Sequence, residues 1–342
     1  MSRDRSRRGL RGRPGLGRRP GLGRRGRDAL IAVSLTAVSL TASGCVVVHG
    51  EREVLPAATR AEAAKALTAF TAAYNKADKA YDTSLDENYV TGPLSDIDSA
   101  RLRAGHANSP SGNAYHTPLK LTDAKFTIPK KAGWPRWFVA DTRSNKGGSA
   151  HWLLVFTRDD LTDPWQVAYL TLVAPDAIPT FQTDADGWAE AVPADSTGLA
   201  VSPGKLSESY TGYLEHGGKT FANGAFTSVE RANRARVAQK PGLVTQFIDK
   251  PLTNGDYAPL ALRTADGGAL VFFTTHHYQK QTAAPGTSVP TPNKSVQALT
   301  KGEIKQSLTM EFISNETALD PAGAGSISLL GRVQGLTSAQ GA

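Results

Sequence analysis

The sequence predicts an α+β protein of two domains, each with N-terminal helices packed on a curled antiparallel sheet. Apolar residues recur first at the helical period and then at the period of a strand. That order of periods occurs twice, and a stretch rich in Pro, Ala, Asp and Thr separates the two occurrences.

In the first half, Ala63, Leu67, Phe70, Tyr74, Ala77 and Tyr81 lie three or four residues apart, which places them on one face of an amphipathic helix. Ile97 to Ala104 predicts a second, weaker helix, leading into a polar loop from Gly105 to His116. The period then becomes two: Leu119, Leu121, Phe126 and Ile128; Trp137 and Val139; Trp152, Leu154 and Phe156; Trp165, Val167 and Tyr169. Turn signals at Lys130 to Pro135, Lys146-Gly147-Gly148 and Asp159 to Pro164 separate these four strands, and an antiparallel meander follows.

After the linker, Leu206, Tyr210 and Tyr213 mark a short helix. Phe226, Val229 and Ala232 begin another, which runs to about Gln239 before Pro241-Gly242 stops it. Strands are expected at Val244 to Ile248, Tyr257 to Arg263, Leu270 to Tyr278, Ile304 to Ile313 and Ser326 to Val333, with Asp266-Gly267-Gly268 as a hairpin turn. Pro285 to Asn293 holds three prolines and is expected as an exposed loop. The resulting plan is a leader over 1–44, a tether over 45–56, a first domain over 57–173, a linker over 174–205 and a second domain over 206–336. Helices followed by a curled antiparallel sheet, twice over, resemble tandem cystatin-like or nuclear-transport-factor-2-like domains in element order.

Charge separates leader from body. The formal net charge is +8, from 39 Lys and Arg against 31 Asp and Glu. Eleven of the arginines, with only two acids, lie between Met1 and Asp28, which leaves 28 basic and 29 acidic side chains from Cys45 onward. Binding to a phosphate backbone needs a clustered positive surface, and beyond the leader there is only a local run, Arg231, Arg234 and Arg236. Nucleic acid is therefore not an expected partner.

The arginine-rich segment is followed by an uncharged run, Ala29 to Leu40, then by small residues and Cys45. This is the order of an export signal, and the run is too short and too rich in Ser and Thr to span a bilayer. Ala42-Ser43-Gly44-Cys45 resembles the lipobox of bacterial lipoproteins, although members of that class more often carry leucine where this chain has Ala42. The resemblance implies cleavage between Gly44 and Cys45 and a diacylglycerol on the Cys45 thiol. It thus implies an extracytoplasmic protein held on the membrane by lipid. Arg24-Arg25 resembles a twin-arginine export signal less well, because Gly26, Arg27 and Asp28 follow where apolar residues belong. Cys45 is the only cysteine, so neither an intrachain disulfide nor a multi-cysteine zinc site is possible. The Arg-, Ala- and Gly-heavy composition resembles that of actinobacterial proteins.

Constellations with chemical potential are sparse. His276-His277 is a conspicuous pair, yet neighbours on a strand point to opposite faces, and neither histidine has an acid or cysteine two residues away. His106, His116 and His151 lie in or beside loops with Asp159 and Asp160, at spacings that predict no convergence. No GxSxG elbow or phosphate-cradling glycine loop occurs, and Gly147-Gly148 and Gly267-Gly268 are explained as turns between strands. Trp134, Trp137, Trp152 and Trp165 are expected in the core of the first sheet rather than on a binding face. The glycosylation sequons at Asn293 and Asn315 carry little weight beside a lipobox.

The expectation is a non-enzymatic lipoprotein of the cell envelope, with no metal and no cofactor, that binds an envelope protein or a small ligand. A rival is an enzyme that runs acid–base chemistry in a transport-factor-like cone, with Tyr74, Tyr81 or His116 as candidates. A structural spacer is the third reading.

Overall fold

The computed structural model describes residues 53–342. Gly44 and Cys45, the leader and most of the tether lie outside the described residues.

Helix α1 (Arg60–Ala80) opens with a reciprocal cap: Thr59 Oγ1 accepts from the Glu62 amide at 3.1 Å, and Glu62 Oε2 accepts from the Thr59 amide at 2.8 Å. Its apolar stripe buries Ala63, Leu67, Phe70 and Ala77, as the spacing predicts. The helix stops at Tyr81, which takes a left-handed conformation. Helix α2 (Gly92–Asn108) starts with Pro93 in its first turn and is longer than the predicted Ile97 to Ala104. Its amphipathic signal is weak because the buried face carries the charged Asp98 beside Leu94, Ile97 and Leu102.

The chain order of the strands is β1 (Leu55–Pro56), β2 (Leu121–Thr127), β3 (Pro129–Lys131), β4 (Arg136–Ser144), β5 (His151–Arg158), β6 (Gln166–Val173) and β7 (Ala189–Glu190). The predicted meander is present as an antiparallel sheet in the order β2-β4-β5-β6, with Phe138 opposite Phe156 and Leu154 opposite Leu170. Both of its faces are covered. Phe138, Ala140, Trp152, Leu154 and Phe156 pack toward α1, whereas Trp137, Val139, Leu153, Val155 and Tyr169 turn the other way, toward Leu270 and Phe272. Two-sided burial explains why the stretch Trp152 to Phe156 is apolar throughout instead of alternating.

The second half contributes helices α3 (Pro203–His216), α4 (Ser228–Ala238) and α5 (Lys294–Leu299). Its strands are β8 (Gln239–Lys240), β9 (Leu243–Leu252), β10 (Leu260–Arg263), β11 (Ala269–Ala283), β12 (Thr300–Lys301), β13 (Ser307–Asp320) and β14 (Ser328–Gly341). They form one sheet in the order β12-β14-β13-β11-β9-β8, with β10 paired to the start of β11. The turn at Asp266-Gly267-Gly268 joins β10 to β11 as predicted, with Gly267 at φ 87°. Strands β11, β13 and β14 run well past their predicted ends. For β13 the cause is visible: Ser314, Asn315, Glu316 and Thr317 are polar yet fully paired in the ladder and buried, so a hydrophobic pattern stops at Ile313.

The layers therefore run helix, sheet, sheet, helix. One face of the second sheet buries Val271, Phe273 and Ala318 against Leu206, Tyr210 and Tyr213 of α3. The opposite face meets the first sheet through Leu270 and Phe272, and Thr171 and Thr317 are hydrogen-bonded across the join at 2.6 Å. Residues 174–205, the expected linker, lie along the second sheet with bridges at Phe181–Thr264, Ala191–Leu262 and Leu199–Ala322, while β7 pairs with β3. Pro285 to Asn293 forms no strand, in keeping with its prolines.

Candidate functional site

Strand β14 extends beyond the first sheet and comes against α2. A Cβ added to Gly335 would stand 2.4 Å from Ile97 Cγ2, so only glycine permits this approach. Beside that contact, α1, α2, β5, β6, α5 and β14 line a half-open cavity of about 430 Å3. Its walls are mainly apolar, with Leu94, Ile97, Leu170, Leu172, Leu299 and Leu336 among them. Tyr74, Asp98 and Arg101 supply the polar end. A mostly apolar concavity with a few convergent polar groups is the usual form of a small-molecule site.

Behind that end lies a chain of paired charges. Arg101 Nε and Nη2 donate to Asp98 Oδ1 at 3.0 and 2.7 Å, and Nη1 donates to Asp78. Asp78 Oδ2 also takes His116 Nδ1 at 2.8 Å. The Arg101 guanidinium sits 5.3 Å from the centre of the Tyr74 ring. Burial alone would raise the Asp78 carboxyl, but the hydrogen bonds from His116 and Arg101 outweigh it and hold the group below the ordinary range. Asp86 goes the other way: burial, with the charge of Asp98 beside it, pushes its carboxyl up to about 8. Oδ2 of Asp86 and Oδ2 of Asp98 are both buried without a hydrogen-bond partner. Burial also lifts the Tyr74 hydroxyl far above its usual value, so it remains a donor.

The second half repeats the motif. Arg234 of α4 bonds Glu230 one turn earlier at 2.8 Å and Asp249 of β9 at 2.5 Å, and Asp249 takes His277 Nδ1 at 2.8 Å. In both halves a helical arginine thus joins an acid on its own helix to a remote aspartate that holds a histidine. The groove beside this second cluster, about 690 Å3 between α3, α4 and β9, is open and its ionic groups are mutually satisfied. There the pairs fasten α4, whose only buried residue is Arg234, to the sheet.

The structure brings two of the three expected acid–base candidates into one cluster. Tyr74 lines the cavity and His116 closes the far end of the charged chain, whereas Tyr81, just past the C-terminus of α1, packs its ring on Gly105. His106 is exposed near Tyr81, and His151 pairs with Asp141 at 2.6 Å, apart from Asp159 and Asp160. His276 contacts Tyr278 and Glu311, while His277 faces Asp249 on the opposite side of the strand, as alternation requires. Trp137, Trp152 and Trp165 are core residues, and Trp134 lies at the surface between Arg136 and Arg158. Arg231, Arg234 and Arg236 do not form a patch, since Arg234 is buried and Arg231 lies over Tyr213. Asn315 is fully buried, which leaves its sequon out of reach. Sequence reasoning missed Asp78, Asp86, Asp98 and Arg101. The one available signal was the charged pair Asp98 and Arg101 within a helix, a spacing that usually marks a solvated face. Among the described residues, no group of three or more His, Cys, Asp or Glu could hold a metal ion, and no helix is long and apolar enough to cross a membrane.

The fold is that of an α+β protein with a half-open, mainly apolar cavity lined by residues of both its halves. Residues 54–341 match the family described as "Domain of unknown function (DUF8094)", and the chain belongs to that family. It is 72% identical over 92% of its length to "Uncharacterized lipoprotein SCO2278" of Streptomyces coelicolor, covering 95% of that protein. It is 58% identical to an "Uncharacterized lipoprotein" of Streptomyces avermitilis over 100% of both chains. A third relative, "Uncharacterized lipoprotein SCO6871" of Streptomyces coelicolor, is 26% identical over 91% of this chain and 94% of its own. These relatives bear out the resemblance to an actinobacterial lipoprotein. No solved structure matches the chain.

Proposed function

We propose that this protein is a lipid-anchored lipoprotein on the extracytoplasmic face of the membrane that holds a small apolar ligand, without chemical conversion, in the cavity between α1, α2, β14 and α5. The single observation that carries the ligand reading is the cavity itself: about 430 Å3 of mainly apolar wall ending on Tyr74 and Arg101, built from segments far apart in the chain. The charged groups behind it are bonded to one another, which suits a rigid wall that orients a bound molecule. The lipoprotein names of the relatives, the lipobox-like Ala42 to Cys45 and the uncharged run before it support the anchor.

Two measurements test the two parts. Protein purified from an actinobacterial host and extracted into organic solvent should release an apolar compound in near-stoichiometric amount by mass spectrometry, and Leu299→Trp, which fills the cavity, should remove it. Equal recovery from both forms refutes the site. For the anchor, the native protein should fractionate with membranes and start at an acylated Cys45, while Cys45→Ala should lose the acyl mass; an unmodified soluble native form refutes it.

A further inference from the structure

The polar end of the cavity also selects the kind of head group, granted the ligand-binding reading above. Three of the five N–H groups of Arg101 are taken by Asp98 and Asp78, which leaves two free on a side chain that lines the cavity and keeps 37% of its exposure. Tyr74 adds a hydroxyl that is bonded to none of the neighbouring charged groups. Both residues offer hydrogen-bond donors.

Arg101 is not an unopposed positive charge, however. Asp78 and Asp98 are both paired with it, so these three groups together carry a formal charge of −1. A carboxylate or phosphate head placed against Arg101 would lie beside two carboxylates already bound to it, and like charges so close repel. An ammonium head would be repelled by the Arg101 guanidinium and would find one accessible acceptor, the Tyr74 hydroxyl oxygen, because Asp98 Oδ1 is taken by Arg101 and Asp98 Oδ2 is buried. What remains is a head that accepts hydrogen bonds and has no charge. We infer that the ligand is a neutral molecule with an apolar body and an ester, amide or hydroxyl head directed at Tyr74 and Arg101.

Competition against a neutral fluorescent dye tests this with the full chain carrying Cys45→Ala, which is free of its own acyl groups. The competitors are methyl laurate, lauryl alcohol, laurate and laurylamine, which share a chain and differ in head group. Methyl laurate and lauryl alcohol are expected to displace the dye at concentrations at least ten-fold lower than laurate and laurylamine. Tyr74→Phe, which keeps the buried ring, is expected to narrow that gap. If laurate or laurylamine is the best competitor and Leu299→Trp abolishes its effect, the cavity binds ligand but the head-group inference is wrong. If Leu299→Trp leaves competition unchanged, or no competitor displaces the dye, the site reading itself fails.

Discussion

Replacing Arg101 with methionine isolates the energetic role of the charged chain. The substitution keeps most of the aliphatic stem and removes three hydrogen bonds to two carboxylates, of which Asp98 keeps 3% and Asp78 10% of its side-chain exposure. Breaking a buried ion pair by deleting one partner typically costs about 3–5 kcal/mol, because the other charge stays buried without compensation. Arg101 is itself 37% exposed, so water screens part of the interaction and roughly 2–3 kcal/mol is the expected loss. For a chain of this size each kcal/mol corresponds to about 2–4 °C, so Tm should fall by roughly 5–10 °C. Urea unfolding followed by tryptophan fluorescence measures the loss directly. The triple variant Arg101→Met, Asp78→Leu, Asp98→Leu should recover part of it, since no buried carboxylate is then left unpaired and the contact with His116 is the one still lost. A loss below about 0.5 kcal/mol, or a triple variant weaker than Arg101→Met alone, would refute the argument that the network stabilises through pairing.

Two other perturbations follow from neighbouring features. Unfolded Asp86 ionises at its ordinary value, whereas the folded group keeps its proton up to about 8; the native state therefore binds more protons across that interval, and this group's contribution to stability falls as pH rises from about 4 to 8, then levels off. Asp86→Asn should flatten that slope in urea titrations at pH 5, 7 and 9, and an unchanged slope would count against the raised Asp86 carboxyl. Gly335→Ala pushes a methyl group into Ile97, so α2 and β14 must part; overpacking of this kind costs about 1–3 kcal/mol, and both thermal stability and dye binding should drop together.

How much was legible depended on whether burial followed hydrophobicity. Helix α1 was plain from Ala63 to Tyr81, and the strands from Trp137 to Tyr169 were plain too, because their buried positions are apolar and the turns between them carry glycine or proline. Pattern reading lost its hold where polar residues are buried and paired. Asp98 weakened the signal of α2, and Ser314 to Thr317 hid the second half of β13. The candidate site falls in this class. Tyr74 and His116 could be nominated by residue type, but their link runs through Arg101 and through Asp78, which lies 38 positions from His116 in the sequence. The wall from β14 was out of reach for a different reason: no local pattern says that Gly335 will lie against Ile97.

That wall fixes the order of events when the protein is made. Residues 60–108 provide helices α1 and α2 early in synthesis and export, yet Val333, Gln334, Gly335 and Leu336 arrive more than two hundred residues later. Until they do, Leu94, Ile97 and Leu172 border an unfinished trough open to solvent. The cavity is therefore complete only after the last strand has joined the sheet, and its lining depends on contacts between the two ends of the described chain.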